Sequence, residues 1–299
     1  MQENNIILIP STPVNYTIGS IFNNFFVISN TTELMEENDV AWDFSNVSFL
    51  HPFLSSTLAL YKSASQKHIE CINLRNNIQA YLDDISFKTL YNASSENAIE
   101  YLKSFNIKSY IPICHFKADD DNIQQHLQEI IQVQSNADKL TTPLSYILGE
   151  LICNIIQHAE SDQVFLFSQY LKEENTINMC IADKGIGIYS SYVRTGKYLS
   201  EIGDNDAEAL KMANDGYSTK NLPEAENRGF GISTSKKMLV KGLRGCFYMM
   251  SGNAFMMSTP YNEDIYLELP KNIEWQGTIF LLRIPIEVRP GFKYTDYIE

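Results

Sequence analysis

GELICNIIQHA, residues 149–159, is the segment around which the sequence can be interpreted. Glu150, Asn154 and His158 recur every four residues, which places them on one side of an α-helix. Leucine and isoleucine cover the other side. A carboxylate, an amide and an imidazole in one row can position a water, hold a hard cation and contact a phosphate. The alternative is an amphipathic helix whose polar side is only hydrated. This segment alone does not distinguish the two possibilities.

A second motif lies downstream, where a predicted strand is followed by an aspartate and two glycines. The apolar segments Val164–Phe167 and Ile177–Ala182 predict two strands, and the second runs into Asp183, Gly185 and Gly187. A carboxylate would therefore stand at the end of a strand, beside backbone that carries no side chains.

A second glycine pair lies closer to the end of the chain. Gly229 and Gly231 follow Arg228 and open a helix predicted over Ser233–Val240. Backbone N–H groups at the start of a helix favour phosphate. The last predicted strand has a Gly-Thr pair at its entry, with Thr278 as the threonine.

These four motifs, in this order, resemble those of the GHKL ATP-binding superfamily, which includes gyrase, histidine kinases and MutL. The resemblance spans residues 121–286. It implies an α/β sandwich with a mixed sheet and helices on one face, and it implies ATP and Mg²⁺ as cofactors. The segment at 149–159 looks most like that of anti-sigma-factor serine kinases.

The resemblance also implies a role for each matching residue. Glu150 would be the general base, and Asn154 would hold Mg²⁺ against the phosphates. Asp183 would accept the amino hydrogen of adenine. The other implied nucleotide contacts are His158 near the nucleotide, Gly185 and Gly187 in the adenine pocket, Gly229 and Gly231 at the phosphates, and Thr278 at the adenine end.

About forty residues separate the two glycine pairs, which predicts a long lid with a helix at Ala207–Ala213. We expect Lys220 and Arg228 to reach the β- and γ-phosphates. The alternative for Lys220 is a hydrated lid lysine, and Lys184 is expected to point outward. A sensor histidine kinase would also need a phosphoacceptor histidine, which is missing from the related segment Leu140–Leu144.

The N-terminal part of the chain alternates apolar strands with helices, which predicts an α/β sheet. Residues 43–50 resemble the strand-and-turn signature of STAS domains, the fold of anti-sigma-factor antagonists, and the resemblance covers residues 5–85. His51, Pro52 and Phe53 stand where phosphorylated members carry an acidic residue and an acceptor serine. We therefore expect the phosphorylation switch to be absent, with Ser55 and Ser56 as structural residues one helical turn later.

Composition limits the class of protein. A chain of 299 residues with 44% hydrophobic residues can form two packed domains. A formal charge of −13 disfavours nucleic acid and anionic membranes as partners. Five scattered cysteines, never in Cys-x-x-Cys spacing, argue against a disulfide framework or zinc site. No basic signal-peptide start and no membrane-spanning apolar run are present, so we expect a cytoplasmic protein.

The sequence thus predicts two α/β domains, a STAS-like domain at residues 1–118 and a GHKL-type ATP-binding domain at 119–299. The first hypothesis is an enzyme, an ATPase or a serine/threonine-kinase-like phosphotransferase acting on a regulatory protein partner. The second is an ATP-gated interaction module in which lid closure changes partner affinity with little turnover. A homodimer is left open.

Overall fold

The computed structural model describes residues 5–12, 17–135, 138–219 and 230–298. The protein is an α/β protein with a small parallel sheet near its N-terminus and an eight-stranded mixed sheet. By contacts the chain divides into two compact units, which are Met1–Tyr91 with Pro112–Cys114, and Asn92–Ile111 with His115–Glu299.

The first unit contains three parallel strands in the order β1-β2-β3. Their bounds are β1 Ile6–Leu8, β2 Asp39–Asp43 and β3 His68–Ile72, and the helices between and after them are α1 Ile18–Leu34, α2 Pro52–Ala64 and α3 Asn76–Asp84. The predicted strand–helix alternation is confirmed. The first helix is longer than predicted, since it ends at Leu34 rather than Ile28.

Pro52 predicts the start of a helix, because proline at a first helical position loses no intrahelical hydrogen bond, and α2 begins there. The side chain of His51 caps the helix, and its Nδ1 atom accepts the Phe53 N–H at 3.1 Å. Every residue from Pro52 to Leu60 is buried. This helix is therefore a core element rather than an amphipathic surface helix.

The eight-stranded sheet has the order β10-β9-β8-β11-β7-β6-β5-β4. All neighbouring pairs from β10 across to β6 are antiparallel. The bounds of the strands are β4 Tyr91–Asn92, β5 Tyr110–Lys117, β6 Gln163–Leu171, β7 Thr176–Ala182, β8 Cys246–Gly252, β9 Ala254–Ser258, β10 Ile265–Glu268 and β11 Trp275–Pro285.

Seven α-helices accompany this sheet in the described residues. They are α4 Ala98–Lys103, α5 Asp121–Ser135, α6 Thr141–His158, α7 Gly187–Thr195, α8 Leu199–Ile202, α9 Asp206–Asn214 and α10 Phe230–Lys237. Helix α10 continues into one π-helical turn, Met238–Gly242, and α6 packs against α10. The helix predicted at Ala207–Ala213 is confirmed as α9. Within the described part of the chain, no helix has the length and apolar character needed to cross a bilayer.

Some local predictions were wrong. The helix expected over residues 93–105 is α-helical only at Ala98–Lys103, because a turn of asparagine and serine precedes it and a 3-10 helix follows. Pro112 does not mark a sheet edge, since β5 lies between β6 and the two-residue β4. The sequence predicts Thr141 or Thr142 as the cap of α6, but the cap is Leu140. The Thr141 hydroxyl instead donates to the Asp138 carbonyl at 2.9 Å.

Candidate functional site

Helix α6 presents the predicted polar row. Glu150, Asn154 and His158 are all partly exposed, whereas Leu151 and Ile155 are buried. The apolar side is narrower than expected, since Ile156 is 52% exposed. The pattern is that of a helix with one side in a core and one side available to a ligand.

A pocket opens beside the C-terminal half of α6. Its empty space, with the open mouth included, is about 610 Å³. Five predicted site residues line it, namely Asn154, His158, Asp183, Gly187 and Thr278. Apolar side chains form much of the remaining wall, among them Ile155, Ile188, Ile232 and Phe280. The pocket thus combines apolar walls with a few polar groups.

Asp183 is the most unusual polar group of the pocket. It follows β7, is 1% exposed, and its Oδ1 atom accepts the Gly185 N–H at 2.8 Å. Burial raises the pKa of this carboxyl to about 6, although backbone hydrogen bonds from Gly185 and Thr278 lower the pKa. A buried carboxyl with a raised pKa in a cleft is typical of functional sites.

Close backbone approaches around Asp183 explain three glycines. A Cβ at Gly185 would overlap the carbonyl of Ala159, at the end of α6. A Cβ at Gly277 would overlap the backbone of Asp183, and Gly277 has a φ of +97°. Gly187 has a φ of +76° and its Cβ would lie 3.0 Å from the hydroxyl oxygen of Ser251. At Gly187 and Gly277, only glycine satisfies the left-handed backbone and the close contacts together.

Ser251 is a connecting residue that the sequence analysis missed. Its hydroxyl donates to the Gly277 carbonyl at 2.8 Å and accepts the Ile188 N–H at 2.9 Å. The Thr278 hydroxyl lies 3.2 Å away. One serine on β8 therefore holds the start of α7 against β11. No local signal marks it, because its partners are distant in sequence.

His158 takes part in a short chain of hydroxyl groups. Its Nδ1 atom lies 2.8 Å from the Thr219 hydroxyl oxygen, which lies 3.0 Å from that of Ser191. Thr219 and Ser191 are buried. This chain connects the end of α6 to α7 and to the segment after α9. The sequence analysis did not predict this connection.

Glu150 does not line the pocket, unlike Asn154 and His158 on the same helix. Its Oε2 atom is 2.6 Å from the position of a Cβ on Gly231, in the first turn of α10. The pKa of Tyr146 is raised by burial and, to a smaller extent, by the charge of Glu150. Glu150 thus lies between α6 and α10, one helical turn from Asn154.

Three predicted residues, Lys220, Arg228 and Gly229, lie outside the described residues. Lys184 does not simply point outward, since its Nζ atom is 4.8 Å from the centre of the Phe165 ring. Burial lowers the pKa of Lys184, and the ring face stabilises its charge.

The donor set can be compared with the needs of Mg²⁺ and adenine. Across the described ranges, no three His, Cys, Asp or Glu side chains form a metal-binding group. Mg²⁺ often keeps several waters and binds through one protein ligand plus phosphates, so a single amide oxygen is compatible with it. The Asn154 Nδ2 atom donates to the Glu150 carbonyl at 2.7 Å, which leaves Oδ1 as the ligand atom. The buried acceptor Asp183 between apolar walls suits an adenine ring.

A scan against protein-family models and a search of curated proteins found no match to this chain.

Proposed function

We propose that the chain binds Mg-ATP in the pocket between α6, α7 and β11, and that it transfers or hydrolyses the γ-phosphate in regulation of a protein partner. In this proposal the second unit is a GHKL-type domain, and the N-terminal part is a STAS-like domain. Bound Mg-ATP would supply an activated phosphoryl group whose charge the metal neutralises.

One observation carries the proposal. Asn154 and His158 from α6 line the same pocket as Asp183 and Thr278, which come from strands far away in sequence. These residues belong to three of the four motifs that resemble the GHKL superfamily. The spacing on α6 explains why Asn154 and His158 lie on one side of the helix. It does not explain why both lie in the same pocket as the buried carboxylate of Asp183.

Each residue has a chemical task in this proposal. Asp183 accepts the exocyclic amino group of adenine, and Ile155 and Phe280 exclude water from the ring. Asn154 offers its amide oxygen to the metal. Glu150, one turn earlier, orients the nucleophile and takes its proton, with Gly231 keeping space for the carboxylate.

The second candidate is an ATP-gated interaction module with little turnover. The position of Glu150 favours it, because its carboxylate lies against Gly231 and does not line the pocket. Nucleotide binding would then change the affinity for a partner through closure of the lid predicted between the two glycine pairs.

Calorimetric titration of the whole protein tests the binding step. We expect ATP to bind in the presence of Mg²⁺ and GTP to bind at least tenfold more weakly, because guanine presents an oxygen acceptor to the Asp183 carboxylate. Asp183→Asn should weaken ATP binding about tenfold, the equivalent of one charged hydrogen bond. Absence of ATP binding would refute both candidates, whereas phosphate release in a single-turnover assay separates the enzyme from the module.

A further inference from the structure

We propose that the outer edge of β10 binds an extended, lysine- or arginine-rich segment of a partner protein, which adds to the sheet as a further strand. This edge consists of Ile265–Glu268 and lies outside the pocket described above. The proposal goes beyond nucleotide binding and does not depend on it.

The backbone of β10 has one partner strand. It pairs antiparallel with β9, and the Leu269 N–H donates to the Asn253 carbonyl at 2.6 Å. In an antiparallel ladder the bonded residues alternate. The backbone groups of Ile265 and Leu267 therefore face β9, whereas those of Tyr266 and Glu268 point away from the sheet. Among the described residues, no strand pairs with that side.

Three of the four side chains of β10 are exposed, and that of Tyr266 is the exception. Tyr266 is half-buried, and burial raises the pKa of its hydroxyl, with smaller contributions from the charges of Asp264 and Asp215. Ile265 and Leu267 are on the opposite face and are 38% and 48% exposed. The strand is four residues long, contains no proline, and has Glu268 as its one charged residue. Exposed apolar side chains on an open edge are typical of strand-addition sites.

An acidic groove continues from the end of this strand. Four carboxylates line it, from Asp204, Asp206, Glu268 and Glu274, together with the single lysine Lys271. The pKa of Asp206 is raised by burial and then by the neighbouring charges of Glu268 and Asp204. A cationic side chain beside β10 would relieve this crowding of like charges.

The negative charge near β10 favours a basic segment as the partner of this edge. A second copy of the chain would bring two acidic grooves together, and each copy has a formal charge of −13. Nucleic acid is repelled for the same reason. A basic extended segment satisfies the outward backbone groups of Tyr266 and Glu268 and places cations near the groove. Charge complementarity of this kind also increases association rates.

The test uses the whole protein and a synthetic peptide of six alternating lysine and valine residues. We expect fluorescence anisotropy to show binding that weakens at high salt, and no binding of the matched glutamate–valine peptide. Methylating the peptide amide nitrogens that face β10 should reduce affinity at least tenfold, whereas methylating the alternate nitrogens should not. Equal loss from both methylated peptides, or equal binding of the acidic peptide, would overturn the proposal.

Two protein measurements complete the test. Glu268→Lys should weaken binding of the lysine peptide at least fivefold, and Glu263→Lys, outside the groove, should weaken it less. Amide hydrogen exchange should show Tyr266 and Glu268 unprotected in the free protein and protected with peptide. Protection of these amides in the free monomer would show that another part of the chain covers the edge. Protection only in a dimer seen by sedimentation would show that a second copy covers it. Either result would overturn the proposal.

Discussion

The carboxylate of Glu150 fills the space beside Gly231, because its Oε2 atom lies 2.6 Å from the position that a Cβ at residue 231 would occupy. The Asn154 Nδ2 atom is 3.1 Å from the same position. Gly231 thus lies beside two residues of the polar row on α6, Glu150 and Asn154. A side chain at position 231 must displace Glu150, Asn154 or both.

Gly231→Ala is expected to impair function while leaving the fold intact. The flexible carboxylate of Glu150 can move away, and alanine is favoured over glycine in a helix by up to about 1 kcal/mol. We expect thermal stability near that of the wild type, together with at least tenfold slower phosphate release or tenfold weaker Mg-ATP binding. Calorimetry and a single-turnover assay measure the two effects.

Gly149→Ala is the matched control for this change. Gly149 is on α6, and a Cβ there meets no atom within 4 Å. It should gain stability by about 0.5–1 kcal/mol with unchanged ATP binding. If both alanine variants behave alike, the contact between Glu150 and Gly231 has no role in the site.

Asp183→Asn should stabilise the protein at neutral pH. The pKa of Asp183 rises from 3.8 to about 6 on folding, so its favourable contribution is complete below pH 4 and is lost as the pH rises through 6. The ionised buried carboxylate then destabilises the fold by roughly 3 kcal/mol. Denaturant unfolding of both proteins at pH 4.5, 6 and 8 should show a difference that grows with pH.

The difference in the free energy of unfolding between the wild type and Asp183→Asn removes the contributions of titrating groups that the two proteins share. A difference that is constant from pH 4.5 to 8 would contradict the raised pKa of Asp183. Greater stability of the asparagine variant, combined with its weaker ATP binding, would identify Asp183 as a residue kept for binding at the expense of stability.

Much of the fold was predictable because local patterns determine it. Short apolar runs between turns predicted β1, β2, β3, β6, β7 and β11, and the four-residue spacing predicted the exposed side of α6. Pro52 predicted a helix start correctly, since its effect on the backbone is local. The short α4 was mispredicted because apolar spacing suggested a helix where asparagine and serine favour a turn.

The supporting contacts of the pocket were not predictable from local patterns. Ser251 bonds to Ile188 across 63 residues, and the indole of Trp275 donates to the Asp183 carbonyl across 92 residues. Gly277 was visible as part of a Gly-Thr pair, but its approach to Asp183 depends on the pairing of β11 with β7. Such contacts follow from sheet order, which a single sequence does not specify.

Thr219→Val should weaken nucleotide binding through His158. Valine has nearly the same shape as threonine but removes the hydroxyl that joins His158 to Ser191. The change leaves the buried Ser191 hydroxyl without this partner, at a cost of about 1–3 kcal/mol. We expect a several-fold increase in the ATP dissociation constant and a lower melting temperature.

Thr219→Ser keeps the hydroxyl and should retain wild-type affinity. If the serine and valine variants bind ATP equally well, the hydroxyl chain does not position His158 for the nucleotide. A loss of stability in the valine variant without a loss of ATP affinity would show that the hydroxyl groups have only a structural role.

Ser55 and Ser56 should remain unmodified when the folded protein is incubated with ATP. Both are 0% exposed, and their hydroxyls donate to the Pro52 and Phe53 carbonyls at 3.1 and 3.2 Å. A phosphate there would require α2 to leave the core. Phosphopeptide mapping measures this, with the exposed Ser48 as an accessible comparison. Stoichiometric phosphate on Ser55 or Ser56 would show that the switch is present but shifted.

Glu150 and Asn154 should separate by role, although they are one turn apart on α6. Asn154 lines the pocket and offers an uncharged oxygen, so Asn154→Ala should impair Mg-dependent ATP binding and every later step. Glu150 lies beside the pocket against Gly231, so Glu150→Gln should leave ATP affinity nearly unchanged. Turnover should instead fall by roughly 10²–10⁴-fold, the usual contribution of a positioned general base.

The paired measurement is ATP affinity by titration and phosphate release or transfer in single-turnover assays, for the wild type and both variants. Glutamine is nearly isosteric with glutamate and keeps the contact with Gly231, so a loss of turnover reports the missing charge rather than altered packing. Wild-type turnover in Glu150→Gln would exclude Glu150 as the base. ATP binding without turnover in the wild type would favour the interaction module. Unchanged binding and turnover in both variants would show that the polar side of α6 is only a hydrated helix surface.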